Sequence, residues 1–149
     1  MSDPIVKTLD LACTPARAFD VFVHQMARWW PLGSHSVAAD RGEAQPTVAV
    51  EPHVGGHIVE TRADGTTAIW GEVLAIHPPH HFAMTWHPGT NPARPTRVDL
   101  RFDPRAEGGT RVTLTHSGWE IWAADAPEKH GNYDGGWEFV FAQCYRAAV

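Results

Sequence analysis

From Thr47 to Glu120 the chain runs through short stretches with the two-residue period of half-buried strands, each followed by a turn signal. This pattern limits the possible folds more than any other feature. In Thr96 to Phe102, Val98, Leu100 and Phe102 point one way and Arg97, Asp99 and Arg101 the other. In TRVTLTHSGWE, beginning at Thr110, Val112, Leu114 and His116 share a side opposite Thr113 and Thr115. His81 to Trp86 puts Phe82, Met84 and Trp86 on one face. Shorter strands are expected at Thr47 to Glu51 and His57 to Arg62, joined where Gly55 and Gly56 permit a positive-φ turn. A longer one, Ala68 to Ile76, follows the hairpin signal ADGT and ends at a Pro-Pro corner. Consecutive strands with short turns make an antiparallel sheet.

Helical signals flank this block. Ile5 to Leu11 reads as a first strand, after which Thr14 and Pro15 open a helix whose stripe is Ala18, Phe19, Phe22, Val23 and Met26. It ends around ARWWPLGSHS, where Pro31 forbids a regular continuation. Ala38 to Gln45 is polar and reads as a mobile loop. At the other end Trp137, Val140, Phe141, Cys144 and Ala148 share one helical face. The glycine-rich Gly131 to Gly136 reads as a hinge before that helix, and Ile121 to Asp134 as a loop able to act as a lid. The expectation is one α+β domain over residues 1–149. A curved antiparallel sheet of about six or seven strands grips a long C-terminal helix, with short helices after the first strand.

A formal charge of −5 and singly scattered Lys and Arg argue against nucleic acid as a partner. No run suits a membrane span and no signal peptide is recognised, so a cytoplasmic protein is expected. Cys13 and Cys144 are the only cysteines and read as buried free thiols. The unusual features are seven tryptophans and ten histidines.

WGEVLAIHPPHHFAMTW, with Thr14-Pro15, WWP at Trp29 to Pro31, EPHVGG at Glu51 to Gly56, GGTRVTLTHSGWE at Gly108 to Glu120 and Tyr133-Gly136-Trp137, resembles the proteins related to the activator of the Hsp90 ATPase. That family lies within the START-like, or helix-grip, superfamily. The resemblance covers nearly the whole chain in the family's order. It implies a sheet closed around a C-terminal helix, in many members with a cavity between them. START-like relatives include lipid and small-molecule carriers, polyketide cyclases, hormone receptors and a co-chaperone domain, so the fold leaves function to the site. The co-chaperone also carries a separate N-terminal domain that is not seen in this sequence, and Hsp90 enters as a partner by family analogy alone.

The candidate ligand-binding residues are Trp30, Trp70, Glu72, Trp86, His116, Trp119, Trp137 and Phe141, with Trp122 as further aromatic lining. Rigid aromatic walls with a few polar groups suit an apolar or aromatic small molecule; each is also compatible with plain core packing. His116, on the apolar side of its strand, can serve a cavity as acid, base or hydrogen-bond donor, or can bond a backbone carbonyl in the GWE turn. Both faces of Ala68 to Ile76 are fairly apolar, so alternation does not choose between them. If Leu74 and Ile76 face the helix, Glu72 enters the interior and could pair with His116; otherwise it is a solvated residue. His77, His80 and His81 at the Pro-Pro corner, and His53 and His57 at the Gly-Gly turn, lack a zinc signature and read as turn histidines. Neither a cofactor motif nor a nucleophile signature is found, and the sequence leaves a homodimer open.

The first functional expectation is therefore a small-molecule-binding START-like domain. The alternatives are a cyclase-, dehydratase- or hydrolase-type enzyme using His116 and Glu72, and a co-chaperone-like interaction module in stress response.

Overall fold

The computed structural model describes residues 3–149. Its strands are β1 (Ile5–Leu11), β2 (Thr47–Val50), β3 (His57–Thr61), β4 (Thr67–His77), β5 (His81–Trp86), β6 (Thr96–Pro104) and β7 (Thr110–Ser117). They form one curled antiparallel sheet in the order β1-β7-β6-β5-β4-β3-β2. Short helices α1 (Pro15–His24), α2 (Met26–Trp29) and α3 (Val37–Asp40) fill the β1–β2 connection, and a long helical stretch follows β7. The α+β architecture expected from the sequence is the one observed.

Alternation carries directly into packing. Across the ladders Val98 faces His116, Leu100 faces Leu114 and Phe102 faces Val112, while Phe82 and Met84 face Leu100 and Val98. All are fully buried and form the inner face. Against it lie Phe19 and Phe22 of α1, with Phe19 edge-on to Phe102 at 5.3 Å, and the aromatic side of the C-terminal helix. Thr14 caps α1 by accepting from Arg17 N, and Pro15 occupies the first turn, as its local sequence dictates.

Lys7 has the same strand parity as Ile5 and Leu9, so its stem runs along the inner side of edge strand β1. Its ammonium group emerges beside the C-terminal helix, 3.0 Å from Asp134 and 2.9 Å from Glu138. The pair of carboxylates fastens the sheet edge to that helix. Cys13 and Cys144 are free and only partly buried, less enclosed than expected, and burial raises both thiol pKa values.

Two expectations about loops are overturned. The segment expected as a lid is helical on either side of a kink at Ala123 (φ 50°): a 3₁₀ stretch, Trp119–Asp125, leads into α4 (Ala126–Phe139). Gly131, Gly135 and Gly136 lie within α4 rather than at a hinge before it. Only Ala126 and Trp137 of α4 are buried, so no apolar stripe announced the helix. Beyond α4 the chain widens into a π-helical turn, Val140–Tyr145, before a last α-turn, Arg146–Ala148. The stretch read as a mobile loop from Ala38 instead begins as α3, with Val37 and Ala38 buried.

β4 does not keep one parity. Ile58 faces Gly71 but Val59 faces Ile69, which leaves Trp70 as an extra residue, and a second shift lies between Val73 and Ala75. Trp70 and Val73 are therefore both buried, although they belong to opposite faces of a regular strand, and Glu72 is exposed. At Gly71 a Cβ would sit 1.8 Å from the carbonyl oxygen of Thr85.

These glycines should respond oppositely to alanine. Gly71→Ala should lower the unfolding free energy by about 2 kcal/mol or more, since backbone must move. Gly131→Ala, whose Cβ meets nothing within 4 Å, should raise it by about 0.5–1 kcal/mol. Urea titration of the three proteins measures both.

Candidate functional site

A cavity of about 320 Å³ opens between the segment after α2, the indoles of β4 and β5, and the C-terminal helix. Trp30, Trp70, Trp86 and Trp137 supply its aromatic walls. Their rings interlock: Trp30 lies 5.1 Å from Trp70, 5.7 Å from Trp86 and 5.9 Å from Trp137, and Trp86 lies 5.5 Å from Trp137. Val37, Val140 and Gly136 complete the apolar surface, and Ser34, His35, Asp40 and Tyr133 bring polar groups to it. His35 also packs on Phe139 at 5.2 Å, bridging the segment after α2 to α4.

The position of this wall depends on Glu60. The alternation of HIVET puts Glu60 on the inward face with Ile58, and its carboxylate is fully buried. It accepts from Trp70 Nε1 at 2.8 Å, Val37 N at 2.8 Å and Ala38 N at 2.9 Å. One side chain thus orients an indole of the cavity and holds the first turn of α3. Ser36 assists, donating to Leu32 O and accepting from Ala39 N. Glu60 was not among the residues expected from the sequence, although an acidic residue on the apolar parity of a strand was the available signal.

His116 is buried behind Trp137, not at the cavity surface. Trp137 Nε1 donates to its Nδ1 at 2.9 Å, so Nδ1 carries no proton. Nε2 then carries it and donates to Thr96 Oγ1 at 2.6 Å, whose hydroxyl donates to Trp86 O at 3.2 Å. Burial, and then repulsion by His130, push the His116 pKa down to about 3. The neutral imidazole fixes two cavity tryptophans, one by side chain and one by backbone. Both nitrogens are occupied, which leaves no lone pair for a substrate proton.

The other expected residues separate. Glu72 is on the outer face, where it lines a surface groove with His57, Thr85 and His87, so it forms no pair with His116. The β4 irregularities are the physical reason. Phe141 is core, stacked on Tyr145 at 5.6 Å with ring planes 7° apart. Trp119 is buried against His116 and Tyr133 and donates to His116 O at 3.0 Å. Trp122 is only half-buried, with Arg94 and Lys129 over its ring at 4.9 and 5.0 Å. His81 bonds Asp99 at 3.0 Å. Among the described residues no group of three metal-ligating side chains converges.

A curled antiparallel sheet gripping a long C-terminal helix, with a tryptophan-walled cavity at one end, defines a START-like domain. The chain belongs to the family described as Activator of Hsp90 ATPase homolog 1-like protein, which it matches over residues 12–145. The solved structure of an anthrahydroquino-gamma-pyrone synthase, Txn09, complexed with SUM is 31% identical, covers 89% of this chain and 88% of that one, and has a TM-score of 0.58. A Mesorhizobium loti protein is 17% identical over 97% and 95% of the two chains, with a TM-score of 0.68. An Hsp90 activator from Plasmodium falciparum is 21% identical over 78% and 74%, with a TM-score of 0.54. The last two are likenesses of fold. No curated protein matches the sequence. Among the described residues no helix is long and apolar enough to cross a membrane.

Two outcomes follow from these bonds. Glu60→Gln presents donors to a site that needs only acceptors, and should cost on the order of 3 kcal/mol while speeding amide exchange at Val37 and Ala38. For His116, a folded pKa near 3 against 6.5 unfolded means stability is fully present above pH 6.5. It falls as pH drops toward 3, by about 1.4 kcal/mol per unit. His116→Gln should flatten that decline in urea titrations between pH 7.5 and 4.5.

Proposed function

We propose that this protein binds a small apolar or aromatic molecule in the tryptophan-walled cavity between the sheet and the C-terminal helix. The observation that carries the reading is the cavity itself. Its volume of about 320 Å³, largely apolar walls and few polar groups match what small-molecule sites provide. The fold and family support a ligand-binding or cyclase-type function. Trp30, Trp70, Trp86 and Trp137 are the contact surface in this proposal, and His116 acts from behind by holding Trp137 and Trp86 in place.

A cyclase-type enzyme is the second reading, favoured by the 31% identity to a pyrone synthase. In it proton transfer falls to Asp40, His35 and Tyr133 at the cavity, because His116 is saturated and Glu72 lies outside. Binding to Hsp90 rests on family analogy and is tested by a pull-down.

Gly136 offers a clean test of the cavity. It lines the space, and a Cβ there meets nothing within 4 Å. Gly136→Leu should fill the volume from a helical position without disturbing the fold. Aromatic ligands that raise the melting temperature of the native protein should lose at least about tenfold in affinity. Undiminished binding by a folded Gly136→Leu protein would place the ligand elsewhere.

A further inference from the structure

The polar groups of the cavity are unequal in what they offer. Five indole N–H groups have partners inside the fold: Trp29 with Val21 O, Trp30 with His35 O, Trp70 with Glu60, Trp119 with His116 O and Trp137 with His116 Nδ1. Trp86 does not. It lines the cavity, is 3% exposed, and its Nε1 is the buried side-chain polar atom without a hydrogen-bond partner among the described residues. A buried N–H left unbonded forfeits its interaction with water, so it stands ready for an acceptor. Tyr133 adds a second donor from α4. The hydroxyl of Tyr145 donates to Ala18 O at 2.7 Å, whereas that of Tyr133 has no partner among the described residues. Burial, and then the charge of Asp40, push the Tyr133 pKa up to about 12, so it stays a protonated donor across the physiological range.

The cavity lining contains no Lys or Arg, and Asp40 is its one carboxylate. An anionic ligand would lose its hydration, meet no Lys or Arg and face the carboxylate of Asp40. A cationic ligand would satisfy neither donor. Four indole faces favour a flat ring system.

We infer that the cavity selects a planar, neutral aromatic ketone or quinone-type molecule whose carbonyl oxygen accepts from the Trp86 N–H, with the Tyr133 hydroxyl as second donor. This deepens the binding reading above and rests on it. The matched probes are 9-fluorenone, fluorene and fluorene-9-carboxylate, which share one ring frame and differ in what they present. Fluorene is the more apolar of the first two, so burial alone would favour it. Calorimetric titration of the intact protein should instead show fluorenone binding about tenfold more tightly than fluorene, with the carboxylate weakest. Trp86→Phe should abolish most of the fluorenone preference, bringing the fluorenone-to-fluorene affinity ratio from about tenfold down to about twofold or less, whatever the loss of ring contact costs both probes alike. Tyr133→Phe should reduce the preference by about threefold, and provides the readout if Trp86→Phe does not fold. Equal binding of fluorenone and fluorene, tightest binding of the carboxylate, or a preference untouched by substitution overturns the inference and leaves the cavity reading standing. Failure of all three probes to bind overturns both.

Discussion

Burying the carboxylate of Glu60 is the constraint on which the cavity depends. An ionised group removed from water is very unfavourable unless its oxygens are bonded, and here three N–H groups from two different parts of the chain do this. The requirement works in both directions. Glu60 needs Trp70 and the first turn of α3, and those amides, in a helix of four residues, need an acceptor. Trp30, Leu32, Val37 and Ala38 bury the segment between α2 and β2 against the core, and the Glu60 carboxylate fixes where its helical turn sits. A wall of the cavity is thus set by an electrostatic demand from underneath.

The sheet was legible in the sequence because β6 and β7 each keep strict alternation with one face buried, where a one-residue slip would expose the whole core. Thr14 and Pro15 marked α1 by local chemistry alone. The misread parts are those where tertiary contacts decide. α4 carries three glycines and exposes most of its surface, so it has no apolar period to detect. α3 looked like a polar loop because the partner of its amides lies more than twenty residues away. Glu72 was undecidable by parity, since β4 changes parity at Trp70 and again after Val73.

Of the candidate site, the four wall tryptophans were found by abundance and position, and the structure groups them around one space. His116, expected as an acid, base or hydrogen-bond donor at the cavity, instead lies behind Trp137. Its tautomer follows from the indole that donates to it, and a histidine bonded on both sides is a rivet between strand and helix. Thr96 and Glu60 escaped notice, and Tyr133 entered only through the family motif, because none belongs to an obvious apolar or catalytic pattern. Their roles come from which neighbour's valence is left unfilled.

The π-helical turn at Val140–Tyr145 divides the last helix into two mechanical parts. Within it, Tyr145 is pinned to Ala18 and stacked on Phe141, which fastens this part to the core. Before it, α4 has three glycines, few buried side chains and the ion pairs of Lys7 as its outer restraint. The last helix is therefore held at two places, its π-helical turn by the core and α4 by the bond from Trp137 to His116, and the cavity lies against the second.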